Sequence, residues 1–174
     1  MDSSILGLLK LRVKRGHNLA IRDAIKRGAS DPYVVVNMGE QKLRTHVVKN
    51  NCNPVWNDDL TLSIKDVKTP IHLSVYDKDT FSGDDRMGEA DIDLKPYAQC
   101  VQVGFNNLSN GSSVMKVQPD KTNCLAKESH CIWKNGNLVQ EMILRLRNVE
   151  SGELVVEIEW MDVIGCKGLS HVEI

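Results

Sequence analysis

The sequence predicts an all-β fold, an antiparallel sandwich, on three observations. Apolar and polar residues alternate with period two along many short segments, turn residues recur between them, and helical periodicity is scarce. Leu9, Leu11 and Val13 alternate with Lys10, Arg12 and Lys14 in a half-buried strand that stops at Gly16. DPYVVVNMG is a second strand, entered through Pro and left through Gly, and EQKLRTHVV sets Lys42, Arg44 and His46 against Leu43, Thr45 and Val47. LTLSI and IHLSVYD flank the turn-rich KDVKTP, and ADIDL follows the polar loop DKDTFSGDDRMG. Near the end, Leu138, Met142, Leu144 and Leu146 share one strand face and Leu154, Val156, Ile158 and Trp160 another. NVESGE between them is a hairpin turn.

From 96 to 136 the alternation weakens and the chain becomes rich in Asn, Ser and Gly. This stretch is expected to be an insertion holding a hairpin (VMKVQP, then HCIWKNG) and a short helix near Tyr97 to Val101. It is too small for its own core, so residues 1–174 are read as a single domain with 96–136 inserted into it.

Bulk properties narrow the function classes. A formal charge of −1 argues against a nucleic-acid binder. Five widely spaced cysteines, an odd count, fit a reducing compartment. Cys124 and Cys131 with His130 lack the two close ligand pairs of a structural zinc site, so buried or incidental thiols are the competing reading. No apolar run is long enough to span a bilayer. MDSSILGLLKL reads as a strand and not as a secretory signal, and a Met-Asp start excludes N-myristoylation. Any membrane contact is therefore expected to be peripheral.

The chemistry is concentrated in two segments. LAIRDAIKRGASDPYV carries Asp23 and Asp31, and VYDKDTFSGDDRMG carries Asp77, Asp79, Asp84 and Asp85. Alternate side chains of a D-x-D at a strand end point the same way, so Asp77 and Asp79 can grip one ion, and a Gly-containing turn returns Asp85 to them. Calcium takes six to eight hard oxygen ligands at flexible geometry, which loops supply from carboxylates and carbonyls. Any one of these aspartates alone reads as a surface-turn cap. Five on converging loops repel one another without a cation. No EF-hand pattern is present, so a calcium site must be built from distant loops.

The strings NLAIRD, SDPYVVVNMG, KLRTHV, NPVWND, LSVYDKD and DDRMGEADI resemble the C2 domains of the protein kinase C and synaptotagmin type. The resemblance implies an eight-stranded C2-type Greek-key sandwich. It implies calcium (Ca2+) held by the carboxylates of Asp23, Asp31, Asp77, Asp79 and Asp85, with the backbone carbonyls of Arg22 and Lys78 completing the shells. Asp84, one before a ligand position, is not expected to be a ligand. Trp56 and Asn57 in NPVWND are expected to be structural. LVQEMILRLRNVESGELVVEIEWMD and KTNCLAKES further resemble the small plant C2-domain abscisic-acid-related (CAR) proteins, single C2 domains with an extra segment of this size and place. That resemblance implies calcium-dependent binding of anionic phospholipid and recruitment of PYR/PYL/RCAR abscisic-acid receptors to the plasma membrane. It also implies, as an alternative role, activation of an Obg-like (YchF) GTPase/ATPase. The expected location is the cytoplasm and, through peripheral attachment, the plasma membrane, with the nucleus as a further compartment.

Several side chains are candidates for lipid contact. Phe81 sits between Thr80 and Ser82 at a loop tip, either as a membrane wedge or folded back onto the domain. Ile25, Lys26 and Arg27 form an apolar tip flanked by positive charge. Lys42 and Arg44 share a strand face where related C2 domains hold a phosphoinositide headgroup, and Tyr33 matches that site. Val35 and Tyr76 depart from its usual Lys and Trp, and a solvated strand face is the competing reading. No P-loop, nucleophile elbow or Cys/His arrangement points to an enzyme, and none of Arg86, Arg145 and Arg147 is singled out as an arginine finger.

Overall fold

A computed structural model describes residues 4–22, 29–79 and 83–174. The chain runs β1 (Gly7–His17), β2 (Pro32–Met38), β3 (Gln41–Arg44), β4 (Val55–Ile64), β5 (Ile71–Asp77) and β6 (Asp85–Ile92). It continues through α1 (Lys95–Val103), β7 (Ser113–Val117), β8 (Ser129–Lys134), β9 (Asn137–Arg145) and β10 (Glu153–Met161). Two sheets face each other, one in the order β4-β1-β10-β9-β8-β7 and the other β3-β2-β5-β6. Removing β7 and β8 leaves four strands in each sheet, the expected eight-stranded sandwich. The expected hairpin of the inserted segment is β7–β8, which extends one sheet from the edge of β9.

Period-two patterning is what selects these strands. In β1, Leu9, Leu11 and Val13 are buried, whereas Lys10, Arg12 and Lys14 face out and pair with Glu159, Asp59 and Glu157 on the flanking strands. Between the sheets lie Leu11, Val34, Val36, Leu62, Val75, Leu154 and Ile158, all with essentially no exposure. β3 is shorter than the alternation of 40–48 suggests. Thr45 turns inward, and its hydroxyl accepts the Val34 N–H at 2.9 Å, so a side chain takes over where a ladder bond would continue. On β9 the face shared by Leu138, Met142 and Leu144 also carries Gln140, a buried polar exception.

The expected helix is longer than Tyr97 to Val101. Pro96 opens its first turn and Gly104 closes it at φ +70°, a left-handed position that suits glycine. Tyr97 anchors it to the sandwich. Its hydroxyl donates to the Leu138 carbonyl and accepts the Trp160 N–H, both at 2.7 Å, and burial pushes its pKa upward. β8 and β9 are joined through Asn135 and Gly136, both at positive φ, as a two-residue hairpin turn requires.

Candidate functional site

Strand register brings Asp31, Asp77 and Asp85 to one end of the sandwich. Asp77 ends β5 directly opposite Asp85, the first residue of β6, and on its other side pairs with Pro32 of β2, next to Asp31. Asp77 is buried, and its Oδ1 accepts the Asp31 N–H at 2.8 Å. The Lys78 N–H donates to the Asp31 carbonyl at 3.0 Å, so each loop is tied to the other by main chain. A third loop supports both. The Asn50 N–H donates to Asp31 Oδ1 at 2.7 Å, and Asn50 Oδ1 accepts the Ala29 N–H at 2.7 Å. Ser30 Oγ accepts the Arg22 N–H and donates to the Ala20 carbonyl, each at 3.0 Å, which fixes Arg22 beside the same loop.

Asp84 serves this framework from outside. One of its oxygens accepts the Asp79 N–H at 2.9 Å, and the other accepts the Tyr33 hydroxyl and lies 3.5 Å from Lys78 Nζ. The Tyr33 hydroxyl, first among these, holds the Asp84 carboxyl below its ordinary range. Burial, then the bond to Asp84, pushes Tyr33 up to about 12. Arg22 grips Glu150 through two bonds of 2.6 and 2.9 Å, and its Nε donates to the Arg86 carbonyl at 3.1 Å. This pairing lowers Glu150 to about 2. Arg22 is raised by Glu150 and, more weakly, by the fields of Asp85 and Asp77.

Arg22, Asp31, Asp77, Lys78, Asp79 and Asp85 are thus placed on adjoining loops and strand ends. Asp23, Ile25, Lys26, Arg27 and Phe81 lie outside the described residues. Among the described residues, no group of three or more His, Cys, Asp or Glu side chains forms a metal cage. Asp31 and Asp77 turn oxygens toward main-chain N–H groups, and Asp84 is engaged by Tyr33. Sequence reasoning missed Glu150, which reads only as a turn residue, and Asn50. Neither carries a local signal, because each acts on a loop distant in sequence.

A second feature crosses the outer face of the smaller sheet. Tyr33 and Tyr76 lie opposite each other on β2 and β5 and stack with centroids 5.7 Å apart and planes inclined by 22°. Arg44 lies over Tyr33 at 5.4 Å and Arg86 over Tyr76 at 6.0 Å, giving a row from β3 to β6. Lys42 and Arg44 are exposed and register with Asn37 and Val35. Further along β6 the charge changes. Asp91 accepts from His72 at 2.7 Å and pairs with Arg147, and Glu89 accepts from Asn148 at 3.0 Å.

Three comparisons relate this arrangement to known proteins. Residues 7–108 match the family model for the C2 domain. The C2-domain ABA-related protein 10 of Arabidopsis thaliana is 50% identical over 172 residues, covering 98% of this chain and 94% of that protein. The C2-domain ABA-related protein 5 of the same plant is 51% identical over 169 residues, covering 97% of this chain and 82% of the relative. Among solved structures, the calcium-bound pair of C2 domains of extended synaptotagmin 2 aligns with a TM-score of 0.62 at 19% identity. That alignment covers 91% of this chain, which spans 46% of the synaptotagmin chain. A C2 domain of plant extended synaptotagmin 1 aligns at a TM-score of 0.58 and 20% identity, over 91% of this chain and 97% of that one. At these identities the structural likeness concerns the fold. Among the described residues no helix is long and apolar enough to cross a membrane.

Proposed function

The chain belongs to the C2-domain ABA-related family of C2 proteins, and on that premise we propose that it is a calcium-dependent phospholipid-binding module. Its role is to carry partner proteins, abscisic-acid receptors of the PYR/PYL/RCAR family, to the plasma membrane. The observation that carries the reading is the register of Asp77 opposite Asp85 and beside Asp31, with Asp79 following on the same loop. These donors suit calcium: hard carboxylate oxygens on loops, with Asp23 as the fifth and the carbonyls of Arg22 and Lys78 adjacent.

Asp31, Asp77, Asp79 and Asp85 concentrate negative charge at one end and repel anionic lipid within about one Debye length, roughly 8–10 Å. Calcium, when bound, supplies positive charge and open positions for phosphate oxygens. The chain's own part is to keep the carboxylates gathered beforehand. Asn50 and Ser30 hold the loop of Asp31, and Asp84 with Tyr33 holds the loop of Asp79. The sandwich need not change shape to switch. Ile25, Lys26, Arg27 and Phe81, on the same two loops, contact lipid in this reading, and Lys42 and Arg44 present positive charge on the sheet face. Residues 1–174 act as a single C2 domain, with 96–136 as its family-specific insertion.

No observation favours activation of an Obg-like ATPase. Arg86 rests over Tyr76 and Arg147 is paired with Asp91, and nothing singles out either as an arginine finger. The proposal is tested by titrating calcium into the full chain in a calorimeter and repeating with Asp77→Ala plus Asp79→Ala. Wild type is expected to give saturable heat and the double variant none. Receptor is expected to sediment with phosphatidylserine vesicles only when both chain and calcium are present. Sedimentation of receptor without calcium refutes the switch.

A further inference from the structure

The turn between β9 and β10 is pinned to the rest of the sandwich on two sides. At its base the Arg147 N–H donates to the Glu89 carbonyl at 2.8 Å and the Glu89 N–H to the Arg147 carbonyl at 3.1 Å, which ties it to β6. The Leu146 N–H donates to the Gly152 carbonyl at 3.0 Å and closes the turn. Gly152, at φ +126°, sits so close to the core that a Cβ there would stand 2.9 Å from Leu146 and 3.1 Å from Leu19. Glu150 is thus carried on a seated turn, with its side chain pointing to the loop of Arg22.

Arg22 meets this turn while being held from two other directions. Its main-chain N–H donates to Ser30 Oγ at 3.0 Å and its Nε to the Arg86 carbonyl at 3.1 Å. Its two terminal nitrogens donate to the two oxygens of Glu150 at 2.6 and 2.9 Å. Arg86 follows Asp85 in the chain, and Asp85 lies opposite Asp77 in register. The guanidinium therefore stands at the rim of the aspartates, and both Asp85 and Asp77 act on it through their fields.

A guanidinium is a planar fork of donors that suits two-point contact with a carboxylate, and it keeps its charge at any working pH. One cation is thus contested by two sets of carboxylates: Glu150 outside the aspartate cluster, and Asp85 with Asp77 within it. In the structure Glu150 holds it. With Glu150 uncharged, Asp85 and Asp77 remain to act on Arg22. An arginine drawn onto them supplies from within the positive charge that a bound cation otherwise brings, and competes with that cation.

We propose that Glu150 is a positioning residue for calcium, which draws the Arg22 guanidinium outward and keeps its charge off Asp85 and Asp77. The inference rests on the calcium reading above and extends it to a residue outside the ligand set. A turn that only braces the loops loses affinity when Glu150 is neutralised, and loses no less when Arg22 is removed as well. A restrained competitor behaves otherwise, because removing Arg22 removes the competitor. The test titrates calcium into the full chain by calorimetry. Glu150→Gln is expected to weaken calcium binding about fivefold or more. Adding Arg22→Met, which keeps the main-chain carbonyl, is expected to recover most of that loss. In chelator, with 15N-labelled arginine, Asp85→Asn is expected to move the Arg22 Nε resonance further in the Glu150→Gln background than in the wild type. Unchanged calcium affinity in Glu150→Gln, no recovery in the double variant, or an equal Arg22 response in both backgrounds overturns the proposal. A wild type that gives no calcium heat overturns the calcium reading itself, and the chelator spectra, which need no calcium, tell that failure from a failure of Glu150 to hold Arg22.

Discussion

The aspartate end of the sandwich and the region around α1 are held together by opposite means. At the aspartate end, hydrogen bonds tie loop to loop: Asp77 accepts the Asp31 N–H, Asp31 accepts the Asn50 N–H, and Asp84 accepts the Asp79 N–H. Around α1, Tyr97 is buried to 1% exposure, and one hydroxyl satisfies both a carbonyl and an N–H of the larger sheet. Gln102 adds a second clasp, donating to the Leu169 and Val172 carbonyls at 2.6 and 2.7 Å. The contrast separates two regions: one is a base fixed by burial, and the other is a charged apex to which the proposed function assigns the response to calcium. On that proposal, substitutions at the base are expected to act on stability and substitutions at the apex on the response to calcium.

Four experiments break or sharpen that contrast. The largest stability effect is expected for Tyr97→Phe. It leaves the buried Leu138 carbonyl and Trp160 N–H without their partner and costs about 2–3 kcal/mol, read from the denaturant midpoint. Next is Asn50→Ala. Asn50 sits at φ +53° and its amide holds Ala29, so alanine is strained there and the bond is lost, about 1–2 kcal/mol by the same measurement. Asp77→Asn should cost less than about 1 kcal/mol with a chelator present, because an amide oxygen still accepts the Asp31 N–H. The same variant should lose calcium-dependent lipid binding. A loss of stability as large as that of Tyr97→Phe would end the division of tasks.

The smallest effect is a titration. Glu150 is lowered from 4.5 to about 2 by Arg22, so its contact adds stability above pH 4.5 and loses it as pH falls toward 2. Its carboxyl 13C shift should titrate near the lower value in wild type and return toward 4.5 in Arg22→Ala. A wild-type midpoint near 4.5 would show that Arg22 and Glu150 do not pair in solution.

Only the local patterns of the sandwich and of its aspartate end were legible in the sequence. The alternation of Leu9, Leu11 and Val13 with Lys10, Arg12 and Lys14 marks β1 directly, because burial on one face is a local pattern. The D-x-D of Asp77 and Asp79 and the turn back to Asp85 are equally local. What stayed hidden depends on distant partners. Arg22 meets Glu150 and Tyr33 meets Asp84 only after the sheets have formed. Gln140 interrupts an apolar face, and it is buried on β9 between Cys131 of β8 and Ile158 of β10, which no spacing within β9 reveals. Thr45 ends a strand that its alternation would have continued, through a side-chain bond to Val34.

The most direct test of the apex is sedimentation of the full chain with phosphatidylserine vesicles, with calcium and with a chelator. The expected result is binding with calcium that disappears in chelator and is absent at all calcium concentrations for Asp77→Ala plus Asp79→Ala. Equal sedimentation in calcium and chelator would contradict the account, since the gathered aspartates would then govern no lipid binding.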